Sequence, residues 1–332
     1  SSDLAVKESK GRQMSTKSKL LELLESQKGT YLSGEELARQ LQVSRAAVWK
    51  AVKTLRQEGY QIQAATNRGY ALKQENDILS REAVRCFLEH QEAEVQVFQE
   101  ISSTSRVMKQ LAVEKQLPHG SLVAANSQTE GRGRKGRKFY SPESSGLYLS
   151  VLLYPKKTLR QSLEITAAAA VAVCRAVEGC CGVSLGIKWV NDLYLQEKKV
   201  CGILTEAVTD FETGEIEFAV VGIGLNLYEP KEGFPEEIRR KAGAILERGV
   251  RTDRNRLAAC IVNELLKEAE KPGISPEYRQ RNIVPGRQIK VFGNQECRVV
   301  KAEKILEDGR LLVTNGQGER ELLDFADVSL EI

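Results

Sequence analysis

The side chains best suited to chemistry lie in four stretches of the middle of the chain. They read "SSTS" at 102–105, "SQTEGRGRKGRKF" at 127–139, "KWVNDLYLQEKKVCGILTE" at 188–206 and "VGIGLNLY" at 221–228. Residues 131–138, "GRGRKGRK", hold five basic side chains and three glycines. Arginine supplies fixed charge, and glycine lets a backbone approach a ligand closely. Two roles fit that composition: a disordered arm for nucleic acid, or a loop that closes around phosphate and carboxylate groups. Taken singly, each stretch also has a plain structural reading. "GIGLN" can be a strand whose glycines allow close packing, and "WVND" can be a turn with Asp192 capping backbone. Lys199 can be a surface lysine beside Lys198, and Ser103 and Thr104 can cap the helix predicted over 103–115. Their joint occurrence in this order is what needs explaining.

Composition limits the setting. The chain has 332 residues, 41% hydrophobic and 28% charged, which predicts two or three packed domains. A net charge of +4 means that any nucleic-acid site must come from local clustering of Lys and Arg. Seven cysteines without a CxxC pair read as reduced thiols of a cytoplasmic protein, not a disulfide framework or zinc site. Two histidines, His90 and His119, leave little scope for histidine catalysis or a His-rich metal site. No run approaches the ~18 apolar residues of a membrane helix, so no membrane partner is expected. Residues 1–14 lack the apolar core of a signal peptide and read as a tail, with Met14 a candidate start.

The positioning elements fall into three segments. In 15–73, "KSKLLELLES" has helical apolar spacing. Ser33 and Glu36 then form a capping box with Leu32 and Leu37 as its staple, and Ser44 caps the next helix, stapled by Val43 and Val48. Ala47, Val48, Ala51, Val52 and Leu55 share one face of that helix, and Gly59 closes it. "YQIQAATNRGYAL" alternates about "TNRG" as a hairpin, so the unit reads as a winged helix-turn-helix. Arg45, Trp49, Lys53 and Arg56 lie on or near one stripe, with Lys50 further round and Arg68 on the wing. A helix in the major groove needs such cations. The candidate DNA-contacting residues are therefore Ser44, Arg45, Trp49, Lys50, Lys53 and Arg68. The plainer alternative is a solvated basic face on which Trp49 closes the edge of the core.

Residues 74–80 form a polar connector. Residues 81–284 predict strands at 95–99, 121–127, 146–154, 183–188, 199–208 and 215–225, and helices at 81–90, 103–115, 162–178 and 253–270. Helices on one side of adjacent strands give an α+β sheet. Residues 285–332 place a turn signal every 8–12 residues, which argues a small all-β barrel.

With those stretches in view, the chain from about residue 15 resembles the bifunctional biotin–protein ligases that also repress the biotin operon. "GRGRKGRKF" is similar to the family's G-R-G-R-x-G-R-x-W loop, "KWVNDLYLQEKKVCGIL" to its K-W-P-N-D signature, and "GIGLN" to its G-x-G-[IL]-N strand. Phe139 and Val190 depart from the Trp and Pro usual there. The resemblance implies a multidomain α+β chain: a winged helix-turn-helix, a mixed-sheet ligase domain like those of class II synthetases over 81–284, and a small SH3-like β-barrel over 285–332. It implies biotin and ATP as substrates with Mg2+, a biotin carboxyl carrier protein or carboxylase domain as acceptor, operator DNA, and a homodimer when the adenylate is bound.

The resemblance also carries roles. Lys199, Arg134 and Asp192 become candidate catalytic residues, and only the resemblance singles out Lys199 from Lys198. Ser103, Thr104 and Gln128 would face the ureido ring of biotin, with Arg132, Arg134, Lys199 and Gly202 on the same ligand. Arg132, Arg137, Lys138 and Asn226 would serve ATP and the adenylate, under a covering loop at 228–246. No metal ligand is assigned. The chemistry agrees with these types. Acyl-adenylate formation joins two anions and makes a mixed anhydride that water destroys, so it needs cations, aimed N–H groups and a loop that closes. Three rivals remain: a transcription factor with little or no ligase activity, a lipoate-type ligase, and a nucleic-acid protein using 131–138 as an arm.

Overall fold

The computed structural model describes residues 14–210, 212–292, 297–324 and 329–331, except the side chains of Arg160 and 329–331. The predicted tail thus lies outside the described residues but for Met14. Contacts divide the chain into two compact units, to Cys86 and from Phe87 onward.

The first unit comprises α1 (Thr16–Ser26), α2 (Gly34–Leu41), α3 (Arg45–Gln57), β1 (Ile62–Ala65), β2 (Gly69–Leu72) and α4 (Arg81–Arg85). Its helix starts are those the serines dictate. Ser33 Oγ accepts from Glu36 N at 3.0 Å, and Ser44 Oγ accepts from Ala47 N at 3.2 Å. Gln42 takes a left-handed conformation between α2 and α3, which makes the tight turn. At the end of α3, Gly59 N donates to Arg56 O and Tyr60 N to Leu55 O, the paired bonds of a Schellman cap, with Gly59 at φ +95°. Leu20, Leu37, Val48, Leu55 and Leu72 are buried together as the core of this unit. The wing pairs Ile62 with Leu72 and Ala65 with Gly69, and Leu32 bridges Tyr70 to add a third rung. The helix expected over 81–90 is shorter, and it packs with α1, on the N-terminal side of the division.

The second unit contains β3 (Val95–Ile101), α5 (Thr104–Lys115), β4 (Leu122–Gln128), β5 (Gly146–Leu153), α6 (Ser162–Cys181), β6 (Gly186–Lys188), β7 (Asp192–Leu195), β8 (Lys198–Thr209) and β9 (Ile216–Asn226). It continues with α7 (Glu236–Arg239), α8 (Arg254–Ala269), α9 (Pro276–Gln280), β10 (Gln288–Phe292), β11 (Cys297–Ile305), β12 (Leu311–Thr314), β13 (Arg320–Leu323) and β14 (Ser329–Glu331). The main sheet has the order β3-β4-β5-β9-β8-β7-β6, with β3 and β4 parallel and the other pairs antiparallel. β8 and β9, the strands predicted at 199–208 and 215–225, pair with each other antiparallel; β7 was not foreseen.

One expectation needs correction: helices cover both faces of this sheet, not one. Every position of β5 is buried. On one face Ser105 of α5 meets Ser150 of β5 at 3.0 Å. On the other, Thr166 of α6 donates to Thr205 of β8 at 2.8 Å. Side chains alternate across a strand, and Thr205 pairs with Val221 while Ser150 pairs with Gly222, so the two contacts lie on opposite faces. α6 is apolar nearly all round because it lies between the sheet and α8. β10 to β14 make a separate five-stranded antiparallel sheet, as the turn spacing predicted.

Leu55 is fully buried in the first unit. Leu55→Ala should cost about 2–5 kcal/mol, the usual range for a buried leucine. Hydrogen exchange on the whole chain should then show protection lost in α1 to α3 and retained in β5 and β9. Uniform loss, or none, would contradict the division into two units.

Candidate active site and nucleic-acid interface

The α5 face of β8 and β9 floors a cleft of about 160 Å3. The register places Gly202 opposite Gly224 and Leu204 opposite Gly222. Glycine at these positions is a packing requirement. A Cβ on Gly222 would lie 2.5 Å from Ser105 Oγ, and one on Gly224 would lie 2.5 Å from the Phe139 ring. Two ends of the floor can therefore be told apart, two residues apart along β9.

At the Gly222 end the groups are neutral. Thr104 donates to Gln128 Oε1 from N at 2.9 Å and from Oγ1 at 3.1 Å. Gln128 Nε2 donates to Ser141 Oγ at 2.9 Å, and Ser150 Oγ donates to Thr104 Oγ1 at 2.9 Å. This network fixes the amide orientation and joins β4, β5 and the segment at Ser141 to α5. Ser103 occupies the N-cap position of α5, but its hydroxyl makes no cap hydrogen bond. The helix start thus borders the cleft, but the side-chain cap that "SSTS" suggested is not made, and Gln128 takes the Thr104 N–H instead.

At the Gly202 end the groups are charged. Lys199 Nζ lies 2.6 Å from Asp192 Oδ1. Asp192 therefore meets an ammonium rather than capping a turn. Asn191 takes the structural part instead: its Nδ2 donates to Ile203 O at 2.7 Å, and its Oδ1 accepts from Arg134 at 3.4 Å. Burial pulls the Arg134 pKa below its ordinary value, while the Asp192 carboxylate opposes that shift. The turn is held from behind by Tyr278 of α9, which donates to Val190 O at 2.9 Å, and by Trp189, which donates to Gly309 O at 2.8 Å.

The basic loop is a folded hairpin. Arg132 bridges Lys138, Gly133 N donates to Arg137 O at 2.7 Å, and Phe139 N donates to Gly131 O at 2.9 Å. Gly131 cannot carry a side chain, because its Cβ would meet Phe139 O at 2.3 Å. Arg132, Arg134, Arg137 and Lys138 all line the cleft, together with Ser103, Thr104, Gln128, Asp192, Lys199 and Gly202. Asn226 does not. It lines an adjoining chamber with Arg137, Lys138, Asp192 and Lys199, and its Nδ2 donates to Gly243 O at 3.1 Å. That chamber is also walled by Phe234, Ile238 and Arg240, so the segment 228–246 contributes named residues that the sequence alone did not single out. Gly224, Ser105, Asn191 and Lys188 are further lining residues missed from sequence. Each lies inside one of the four stretches singled out at the start, which was the only signal for it.

In the first unit, Ser44, Arg45, Trp49, Lys50, Lys53 and Arg68 are all exposed. Trp49 is 57% exposed, so it does not close the core. Lys53 Nζ lies 5.4 Å from its ring centroid, and Arg68 lies 4.3 Å over Tyr31. Arg56 is committed elsewhere, since its Nε donates to Ile62 O at 2.9 Å. The start and middle of α3 and the wing thus expose all six candidate residues to solvent.

Comparison with known proteins follows this division. Residues 97–226 match the biotin/lipoate A/B protein ligase family, and residues 16–71 match a helix-turn-helix domain family. The bifunctional ligase/repressor BirA of Bacillus spizizenii is 34% identical over 326 residues, 94% of this chain and 97% of that protein. BirA of Escherichia coli is 31% identical over 262 residues, 78% of each chain. Among solved structures, the biotin protein ligase of Aquifex aeolicus in complex with biotin and ATP is similar with a TM-score of 0.61 and 28% identity, covering 72% of this chain and 98% of that one. A ligase cleft, an exposed basic helix-turn-helix and similarity across nearly the full length coincide, and the chain belongs to the bifunctional biotin ligase/repressor family.

Proposed function

We infer that this chain is an ATP-dependent biotin–protein ligase that also represses transcription through its N-terminal unit. The polarity of the cleft carries the enzymatic reading. Neutral hydrogen-bonding groups lie against Gly222, Arg134 and the Lys199–Asp192 pair lie near Gly202, and glycine separates them. Biotin has the same order: a neutral ureido ring with one acceptor and two donors, an alkyl chain, and a carboxylate. A buried urea must be paired or it loses affinity, and Ser103, Thr104 and Gln128 supply donors and acceptors.

In the first step a carboxylate oxygen attacks the α-phosphorus of ATP and pyrophosphate leaves. Arg134 and Lys199 offset the charge that builds on the phosphoryl oxygens. Arg132, Arg137 and Lys138 hold the remaining phosphates, and the hairpin 131–138 shields the mixed anhydride from water. Asn226, with residues 234–242, takes the nucleoside side. Mg2+ arrives with the triphosphate. Among the described residues no group of three His, Cys, Asp or Glu could hold a metal, and Mg2+ is commonly held by phosphates, waters and one or two carboxylates. In the second step a carrier-protein lysine attacks the acyl carbon and AMP leaves. Asp192 takes the amine's proton in this reading.

Four measurements test this. Lys199→Gln should lower biotin-dependent pyrophosphate exchange about 10²–10³-fold, the usual cost of one transition-state charge contact. Asp192→Asn should lower transfer from preformed adenylate much more than adenylation. Equal losses in both steps would leave Asp192 only a positioning residue for Lys199. Gln128→Ala should raise the KM for biotin roughly 10-fold while leaving that for ATP unchanged, as expected when a buried polar group loses its partner. Competition by lipoate equal to that by biotin would sink the substrate assignment.

For repression, two copies would present their α3 helices to a palindromic operator, with bound adenylate ordering 131–138 and 228–246 and favouring the homodimer. Excess biotin with little acceptor would then shut down transcription. Operator titrations with and without biotin plus Mg-ATP, followed by sedimentation, should show tighter binding and dimerisation together. Lys53→Ala should weaken binding across sequences and reduce the salt slope by about one. No change on adding the substrates would leave a ligase without a switch.

A further inference from the structure

The turn between β6 and β7 delivers Asp192 to the cleft, and its first two residues are buried: Trp189 is 5% exposed and Val190 3%. Carbonyls in a buried turn cannot turn to water, so they need donors from elsewhere in the chain. Tyr278 supplies one. It is fully buried, and its hydroxyl donates to Val190 O at 2.9 Å. Burial raises its pKa, so the phenol keeps its proton and remains a donor. The residues that follow grip the strand entering the turn. Ile187 N donates to Arg281 O, and Ile283 N donates to Ile187 O, both at 2.8 Å. Residues 278–283 thus hold the chain on both sides of Lys188 and Trp189.

α9 is fixed in its turn to the helical layer. Ser275 Oγ accepts from Tyr278 N at 3.3 Å. Glu277 accepts from Arg175 Nε of α6 at 2.9 Å, and Arg175 also donates to Glu268 of α8 at 2.9 Å. Arg281 donates to Glu277 at 2.8 Å and to Glu178 of α6 at 2.6 Å. A helix of five residues is not stable alone, so these charged pairs and the buried ring of Tyr278 hold it in place.

We propose that Tyr278 is a positioning residue for adenylation: by holding Val190 O it places the Asp192 carboxylate and, through it, the Lys199 ammonium. The inference rests on the ligase reading above. Asp192 lies two residues beyond Val190, and its Oδ1 is 2.6 Å from Lys199 Nζ. Asn191, between them, is tied to β8 by its bond to Ile203 O at 2.7 Å. The turn is therefore pinned to α9 at one residue and to β8 at the next. A lysine has a long flexible stem, so its ammonium takes its aim from the carboxylate it meets. A charge displaced by about 1 Å loses much of its effect on a transition state. Tyr278 does not line the cleft, so it acts through the turn and not on the ligand.

The test is biotin-dependent pyrophosphate exchange by the full chain. Tyr278→Phe removes the hydroxyl and keeps the ring. Its kcat should fall about 10-fold, as expected when a buried carbonyl loses its partner. The KM for biotin should stay within about twofold, because the Thr104–Gln128 network is separate from the turn. In a Lys199→Gln background the same substitution should cost about twofold or less, since the group it positions is gone. Circular dichroism checks that each variant is folded. Parent kcat in folded Tyr278→Phe overturns the proposal, as does a rise in biotin KM that accounts for the loss. Losses that multiply with Lys199→Gln overturn it too, since a merely structural tyrosine would give that result. If Tyr278→Phe does not fold, Arg175→Met takes its place, because it frees Glu277 of α9 from α6. It should lower kcat about threefold at unchanged KM, in the range of a partly exposed ion pair, and parent kcat there overturns the proposal. A parent chain without exchange would instead sink the ligase reading.

Discussion

A sheet covered on both faces cannot also hold a ligand unless some of its side chains are missing. That constraint organises the second unit. β5 is buried at every position, with α6 and α8 closing one face. On the other face α5 covers part of the sheet, with Ser105 seated against Gly222 and the Phe139 ring against Gly224. The glycines let these groups settle onto the strands, and the cleft lies beside them. Everything that acts on a ligand is then hung around its rim: the start of α5, the hairpin 131–138, and the 188–192 turn with the start of β8.

The rim is built so that polar groups pair with one another before any ligand arrives. Thr104, Gln128, Ser141 and Ser150 form a closed network, and Asp192 compensates Lys199. Buried amides and charges without partners are costly, so a site that waits for substrate must satisfy them internally. The same pairing keeps donors and acceptors aimed, which lowers the reorganisation needed when a ligand replaces them. The chain's modest net charge is divided into two such places. One is a solvent-facing set on α3 and the wing. The other is the hairpin, whose basic residues line the cleft.

The sequence made local features legible because their causes are local. Ser33 and Ser44 cap the helices that follow them, and Gly59 ends α3, since each bond spans only a few residues. The glycines of "GIG" and the loop 131–138 were recognisable for the same reason. What escaped depends on partners far along the chain. β7 is only four residues long and exists because β6 and β8 flank it. The second helical layer follows from burial on the α6 face, which alternation alone did not reveal in strands hydrophobic on both sides. Asp192 could be read as a turn cap or an acid until Lys199 came into contact with it. Phe234, Ile238 and Arg240 lie on a segment without strong periodicity, so their place around the second chamber appears only in three dimensions.

The first rungs of β8 have a further meaning. β9 ends at Asn226, so the backbone of Lys199 would face an open edge there. Residues 241–243 fill it: Lys199 N donates to Lys241 O at 2.7 Å, and Gly243 N donates to Lys199 O at 2.9 Å. An open strand edge is a template for pairing with other chains. By spending those bonds within the chain, the loop denies that stretch of ladder to intermolecular β-addition, and it protects against aggregation a strand whose face stays open to the cleft.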